Sequence, residues 1–123
     1  MKTPTKETIS IKTIDANGRT LGRVASEVAV SLMGKNKASY ERNAYSGMPV
    51  KVVNASKIRI TAKKLETISH ARYSGIPGGL RKISGTETVE KKGMKELLKL
   101  ATYRMLPSNK LRRQMMMNLK IEN

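Results

Sequence analysis

Residues 9–34 read ISIKTIDANGRTLGRVASEVAVSLMG, and this stretch decides the fold. Its first half places isoleucines between polar residues, which predicts a strand that ends at Asp15-Ala16-Asn17-Gly18. In its second half, apolar residues recur at helical spacing from Leu21 to Leu32 and predict a helix of about three to four turns. Thr20 is the expected N-cap and Gly34 the residue just past the helix. With a second strand at residues 50–53, the order strand–helix–strand predicts a right-handed crossover and a parallel pair.

The rest of the chain follows the same periodicities. A long basic loop is expected at residues 35–48, and short strands at 58–61 and 81–84. A helix with Met94, Leu97, Leu98, Ala101 and Met105 on one face should stop at Pro107. A final helix capped by Ser108 should turn inward Leu111, Met115 and Leu119.

Residues 73–82 read YSGIPGGLRK and form the most distinctive loop. Glycine allows positive φ and a close backbone approach, so the loop amides can point at an anion while Arg72 and Arg81 reach phosphates. A solvated turn between two elements is an equally good interpretation of these residue types alone.

The amino-acid composition indicates what kind of molecule the protein binds. The 123 residues contain 25 Lys and Arg against 9 Asp and Glu, a formal charge of +16 that favours a nucleic-acid partner. With 38% hydrophobic residues, a single folded domain over residues 1–123 is expected, with a flexible tail at 1–8 and a C-terminal helix and short tail at 109–123. The sequence has no cysteine, no signal peptide and no apolar stretch of membrane-spanning length, so a soluble, cytoplasmic protein is expected.

Catalytic chemistry is sparse. His70 is the one histidine and Asp15 the one aspartate, so neither a metal site nor a cofactor is expected. Glu87 and Glu90 are interpreted as residues of a helix's first turn, where carboxylates favour the helix dipole. The run Gly18 to Arg23 opens a helix but matches no nucleotide-binding motif, although a backbone phosphate could bind there. An enzyme acting on phosphate esters is therefore disfavoured.

The basic residues are concentrated where phosphate contacts are commonly made. From Lys35 to Lys82 there are eleven Lys or Arg and two acids, and from Arg104 to Lys120 five basic residues and no acid. Without Phe or Trp, and with scattered tyrosines, the sequence argues against a stacking platform for single strands. Recognition of the shape and backbone of structured RNA is the better interpretation.

Five motifs in order resemble the bacterial large-subunit ribosomal protein family thirteen, over roughly residues 11–121. They are Ile14-Asp15-Ala16-x-Gly18-x-x-Leu21-Gly22-Arg23-Val24-Ala25-Ser26, Gly34-Lys35-x-Lys37-x-x-Tyr40, Val52-Val53-Asn54-Ala55-x-Lys57-Ile58, Ser74-Gly75-x-Pro77-Gly78-Gly79-Leu80 and Met105-Leu106-Pro107-x-Asn109-x-Leu111-x-Arg113.

This resemblance implies a three-layer α/β/α domain around a small four-stranded parallel sheet. It also implies a structural role: binding large-subunit ribosomal RNA early in assembly, beside large-subunit proteins that include those numbered three and twenty. Taken with the charge pattern, it gives a set of candidate RNA-binding residues: Arg19, Arg23, Lys35, Lys37, Tyr40, Lys63, Lys64, His70, Arg72, Tyr73, Ser74, Gly75, Pro77, Gly78, Gly79, Arg81, Lys82, Arg104, Asn109, Lys110, Arg112 and Arg113.

The chain departs from the family pattern at several places. The usual aromatic pair of the first strand is replaced near residues 9–11, and the Asp-x-Gly-Asp motif reads Tyr45-Ser46-Gly47-Met48. Thr61-Ala62-Lys63-Lys64 stands in place of Thr-Gly-Asn-Lys, Arg112 replaces a customary glycine, and the family's Gly- and His-rich tail is missing past Ile121. A free DNA- or RNA-binding regulator remains the alternative, although no recognition helix or dimer seam stands out.

Overall fold

The computed structural model describes residues 10–123; the expected tail at 1–8 and Ile9 lie outside them. Within this described part of the chain, five helices and five strands follow one another, with one short 3-10 helix after the second strand. In chain order they are β1 (Lys12–Asp15), α1 (Leu21–Met33), β2 (Val50–Val53), the 3-10 helix (Ala55–Lys57), α2 (Ala62–Thr67), β3 (Ser69–Tyr73), β4 (Leu80–Ser84), α3 (Gly85–Lys92), α4 (Met94–Met105), α5 (Leu111–Met117) and β5 (Leu119–Ile121).

A three-stranded parallel sheet has the order β1-β2-β5. Val52 of the central strand pairs with Ile14 on one side and with Ile121 on the other. All three side chains are buried, so this row joins the sheet to the core. The predicted parallel pair of β1 and β2 around the α1 crossover is confirmed.

Helix α1 has the bounds and the inward face that its spacing predicts. Val24, Val28 and Leu32 are fully buried, and the helix contacts β1, β2 and α4. Thr20 is the N-cap residue but its side chain makes no capping bond, whereas Gly34 ends the helix in the left-handed conformation, at φ 79°. Burial of this apolar stripe is the main stabilisation of the domain.

The four-stranded parallel sheet is not confirmed. Residues 58–61, expected as a strand, make only an isolated bridge between Arg59 and Thr20, because the backbone turns through the 3-10 helix before them and enters α2 after them. The sheet's other face carries a row formed by Thr13, Lys51 and Lys120. These polar side chains are partly or fully exposed, so no second helical layer covers them among residues 10–123.

An antiparallel hairpin forms a second, separate sheet. Residues 81–84 are part of its strand β4, as predicted, but β3 was not predicted, because Ser69–Tyr73 is mostly exposed and lacks an apolar alternation. The glycine-rich segment is the loop that joins the two strands.

Two expectations for the C-terminal part need correction. Helix α4 runs to Met105 and stops before Pro107, as predicted. Met105 was expected on the apolar face of this helix with Leu97 and Leu98, but it is 42% exposed. The final helix is shorter than expected: the side chain of Asn109, not Ser108, accepts a hydrogen bond from the Arg112 amide at 3.2 Å, and Leu119 lies in β5. The strand forms there because β2 offers an unpaired edge.

The loop of residues 35–48 is held against the body at its C-terminal end. A Cβ on Gly47 would lie 1.9 Å from the Leu32 carbonyl oxygen, so the backbone approaches α1 as closely as a glycine allows. The Asn118 amide donates a hydrogen bond to the Tyr45 hydroxyl. Tyr45, which departs from the family pattern two residues before Gly47, therefore takes part in this packed turn. No helix within residues 10–123 has both the length and the apolar character that a bilayer crossing requires.

Candidate RNA-binding surface

Several carboxylates are already engaged by basic side chains of the body. Glu27 lies 3.7 Å from Lys12 Nζ and 2.7 Å from Arg19 Nη2, while Glu122 pairs with Lys51 at 2.9 Å. Arg19, expected to meet a phosphate, is therefore engaged within the fold. Glu87 lies in the first turn of α3, as predicted, and pairs with Lys91; Glu90 lies later in that helix, contrary to expectation.

Asp15 is a structural carboxylate. Its Oδ1 accepts hydrogen bonds from the Asn17 backbone N–H and the Asn54 side-chain amide, each at 3.0 Å. These two bonds, in that order of weight, hold the pKa of Asp15 below its usual value. The carboxylate joins the ends of β1 and β2 and is not placed for catalysis. In the part of the chain that the structure describes, no cluster of His, Asp and Glu side chains is suited to hold a metal ion.

The β3–β4 hairpin presents the first basic surface, called here the hairpin surface: Arg72, Ser74, Gly78, Gly79 and Arg81. Arg72 and Arg81 are directly opposed in the strand register. Together with the three loop residues they line a concavity of about 310 Å³. Like charges at opposed positions destabilise a hairpin, so this arrangement favours a bound anion.

The loop at the tip of the hairpin owes its shape to its glycines. Gly75 and Gly78 have φ of 85° and 79°, and a Cβ on either would meet no atom within 4 Å. Gly79 differs, since its Cβ would lie 1.9 Å from Ser74 Oγ. The Ser74 hydroxyl can rotate away, so the firmer limit on a side chain at this position is the Ile76 carbonyl oxygen, at 3.0 Å. Tyr73 is 62% exposed beside this loop.

A second surface, called here the loop–helix surface, joins the basic loop to the start of α5. Lys35, Tyr40 and Asn109 line one concavity of about 360 Å³, although they are far apart in sequence. The turn is tight, since the Lys37 amide donates to the Gly34 carbonyl at 3.0 Å and the Tyr40 amide to the Lys37 carbonyl at 3.2 Å. Arg42 lies in the same concavity and was not singled out from the sequence.

Asn109 also borders a third concavity, of about 820 Å³, between α4 and α5. The guanidinium carbon of Arg112 lies 4.0 Å from the centre of the Tyr103 ring. Sequence reasoning missed Tyr103 and Lys99, because they lie in α4, whereas Arg112 lies in α5 beyond Pro107, and only the tertiary fold brings them to one concavity. The full lining is Lys99, Tyr103, Asn109, Lys110, Arg112, Arg113, Met116 and Met117.

His70 lies in strand β3, and its half-buried side chain borders a concavity that it shares with Leu97 and Arg104 of α4. Both ring nitrogens are shielded from solvent and lack a hydrogen-bond partner within residues 10–123. Burial lowers the pKa of His70, and the nearby Arg104 charge lowers it further. Arg104 Nη1 donates a long bond to the Ser69 carbonyl at 3.5 Å. The expected phosphate contact at His70 is therefore poorly supported by its surroundings.

The remaining candidates are exposed but lie apart from these concavities. Arg23 is on the outer face of α1, and Lys82 takes the hairpin face opposite to Arg81. Lys63 and Lys64 are exposed in the first turn of α2, and Pro77 is exposed in the hairpin loop.

These surfaces, on a small α/β body with a large excess of positive charge, define a basic nucleic-acid-binding protein. Residues 10–121 match the model of the family described as ribosomal protein L13. The large ribosomal subunit protein uL13 of Pelobacter propionicus is 49% identical over 108 residues, which cover 88% of this chain and 75% of that protein. The proteins of the same name from Syntrophotalea carbinolica and Aquifex aeolicus are each 44% identical over 108 residues, with 75% and 74% of their own lengths covered.

The chain belongs to the ribosomal protein L13 family. It is a structural protein and not an enzyme, which agrees with the sparse catalytic chemistry of its sequence. The resemblance inferred from the five sequence motifs is confirmed.

Proposed function

We propose that this chain is a structural constituent of the large ribosomal subunit in the cytoplasm, where it binds large-subunit ribosomal RNA and supports early subunit assembly. The observation that carries the proposal is the opposed pair Arg72 and Arg81 on a hairpin without any carboxylate. The relatives are named as proteins of the large ribosomal subunit, from which we infer where this chain acts. The hairpin provides the basic side chains that can bind RNA there.

The hairpin surface suits a phosphodiester. Each guanidinium presents a planar fork of donors that matches two phosphate oxygens, so the pair can engage one phosphate or two consecutive ones. Gly78 and Gly79 border the concavity without side chains, which allows the RNA backbone to come close. Neither arginine is in an ion pair within residues 10–123, so binding RNA breaks no carboxylate contact there.

The loop–helix surface provides a second anchor. Lys35 and Arg42 line one concavity with Asn109, just before α5, and Lys37 and Lys110 are exposed in the same two segments of the chain. Contacts of this kind go to phosphate and sugar, so they fix the position of the protein without specifying sequence. Two separated anchors on one rigid body restrain the RNA segments that they hold, which is what an assembly protein must do.

Protein neighbours are a further part of the proposal. By family resemblance they include the large-subunit proteins numbered three and twenty. The hairpin also carries exposed apolar side chains at Tyr73, Ile76 and Leu80, at 62%, 66% and 58% exposure, which a crowded ribonucleoprotein would cover.

Incorporation into large subunits tests the proposal. Labelled protein is mixed with assembling subunits, which are then sedimented through high salt. We expect the wild type and Lys92→Gln/Lys95→Gln, an equal loss of two charges at exposed positions of α3 and α4, to co-sediment with large subunits. Arg72→Gln/Arg81→Gln should incorporate poorly while melting normally. Failure of the wild type to co-sediment would contradict the proposed function, and normal incorporation of the double variant would contradict the role of the hairpin surface.

A further inference from the structure

We infer that the concavity between α4 and α5 holds one unpaired nucleotide of ribosomal RNA, with its base stacked on the Tyr103–Arg112 pair. This inference rests on the proposed function and names the RNA element that this part of the surface takes. It reverses the expectation, drawn from the lack of Phe and Trp, that no stacking platform exists. A tyrosine and an arginine together supply the flat surface that the composition seemed to lack.

The platform is built before RNA binds. Arg112 lies over the Tyr103 ring at 4.0 Å, a cation–π contact, and the ring remains 42% exposed. Two further contacts restrain the arginine: its backbone N–H donates to Asn109 Oδ1 at 3.2 Å, and its Nη1 donates to Ser108 Oγ at 3.4 Å. A planar group held in this way loses little further entropy when a base stacks on it.

The surroundings of the platform match the parts of a nucleotide. Met116 and Met117 add apolar surface beside the ring, and Met117 is 74% exposed. Lys99, Lys110 and Arg113 supply positive charge for the phosphate, and no carboxylate from residues 10–123 lines the concavity. Its volume of about 820 Å³ is within the range of small-molecule sites, roughly 300–1,000 Å³.

The ligand is an unpaired nucleotide because a base within a helix is covered on both faces by its neighbours. Only a base from a loop or bulge can lay its face on a protein side chain. Basic side chains without an acid favour RNA over an ordinary protein segment.

Chemical probing of reconstituted large subunits tests the inference, with reagents that together report on all four bases. In subunits with wild-type protein, we expect at least one unpaired nucleotide to be protected. Tyr103→Leu should expose it, because loss of base–aromatic stacking weakens retention of the base about 5- to 150-fold. Arg112→Lys keeps the charge but loses the planar group, and should expose the same nucleotide. Tyr103→Phe keeps the ring and should preserve the protection.

The outcomes are separable from those for the proposed function. Incorporation of the variants is measured in the same subunits, and protection is scored only in the subunits that contain the variant protein, so that a loss of protection is read per bound molecule. If incorporation is normal but Tyr103→Leu leaves every unpaired nucleotide as protected as before, the inference is wrong while the proposed function stands. Protection that survives in Arg112→Lys would also overturn it, since charge alone would then suffice. A neighbouring protein filling the concavity would give the first of these contrary results.

Discussion

Arg72 and Arg81 face each other across the β3–β4 hairpin, and no carboxylate is present anywhere in that ribbon from Ser69 to Ser84. Directly opposed like charges destabilise a two-stranded ribbon by a few tenths of a kcal/mol. In the free protein, this repulsion lowers the free energy of unfolding at the two side chains that are best placed to bind a phosphate. The same pair of charges therefore weakens the fold and favours binding.

This opposition gives a prediction for Arg81→Gln. The free energy of unfolding should be unchanged or should rise by up to about 0.5 kcal/mol, because repulsion is removed from an exposed site. Affinity for large-subunit ribosomal RNA should fall about tenfold or more, as expected for one lost charge-assisted contact. Thermal melting and filter binding measure the two effects, with Lys95→Gln as the matched control. A clear loss of stability would instead assign Arg81 a structural role.

Salt dependence reports on the number of phosphate contacts. If about eight basic side chains meet phosphates, a plot of log affinity against log salt concentration should have a slope of about −6 to −7. Arg72→Gln/Arg81→Gln should make the slope shallower by about 1.4 to 1.8, because two fewer phosphates are neutralised and fewer counterions are released on binding. A slope near zero for the wild type would contradict electrostatic RNA binding.

Alanine substitutions at Gly22, within α1, and at Gly47, in the loop that packs on α1, should change the stability of the protein in opposite directions. At Gly22, within the helix, a Cβ meets no atom within 4 Å, so Gly22→Ala should stabilise the protein by about 0.5–1 kcal/mol. At Gly47 the same methyl group would collide with the Leu32 carbonyl, so Gly47→Ala should displace the loop and destabilise the fold. RNA affinity should fall only for Gly47→Ala, because Lys35 and Tyr40 belong to the displaced loop. Chemical denaturation and RNA binding of both variants check this pair, and equal stabilities would contradict the close approach.

His70 predicts a pH dependence of stability. Its pKa in the folded protein is lowered by burial and by Arg104, so the unfolded chain binds a proton more readily. The free energy of unfolding should therefore decrease as pH falls from about 7 through about 6.5, the ordinary histidine pKa, and level off below the folded pKa. His70→Leu should remove this slope, and since His70 is the one histidine, few other side chains titrate there. A slope that persists in the variant would assign the effect elsewhere.

Much of the body was predictable because its signals are local. The helical stripe from Leu21 to Leu32 and the left-handed turn at Gly34 follow from spacing and residue type, and both are confirmed. Strand β5 was not predictable in this way: Leu119 also fits the apolar face of the preceding helix. Its conformation is decided by the open edge of β2, a contact that no local window contains.

In the candidate site, too, the features with local sequence signals were predicted, and those that depend on contacts between distant residues were not. The loop residues Lys35 and Tyr40 were identified from sequence, but their proximity to Asn109 depends on the tertiary fold. Tyr103 was missed because its partner Arg112 lies in another helix. Arg19 was identified from its place at a helix start, yet Glu27 two turns later engages it. Charge patterns locate basic regions, whereas only packing decides which charges remain available.

The pairing of β2 with β5 has a consequence for the order in which the molecule forms. Val50 and Leu119 meet across about 70 residues of chain, a long loop closure that slows folding, whereas the hairpin joins residues no more than about 15 apart. Hairpins form within about 1–10 μs, well before such a distant strand is recruited. Arg72 and Arg81 therefore belong to the part of the molecule whose strand pairing needs the shorter loop closure. A phosphate bound between them would stabilise the ribbon that repulsion weakens, whether or not the parallel sheet is complete.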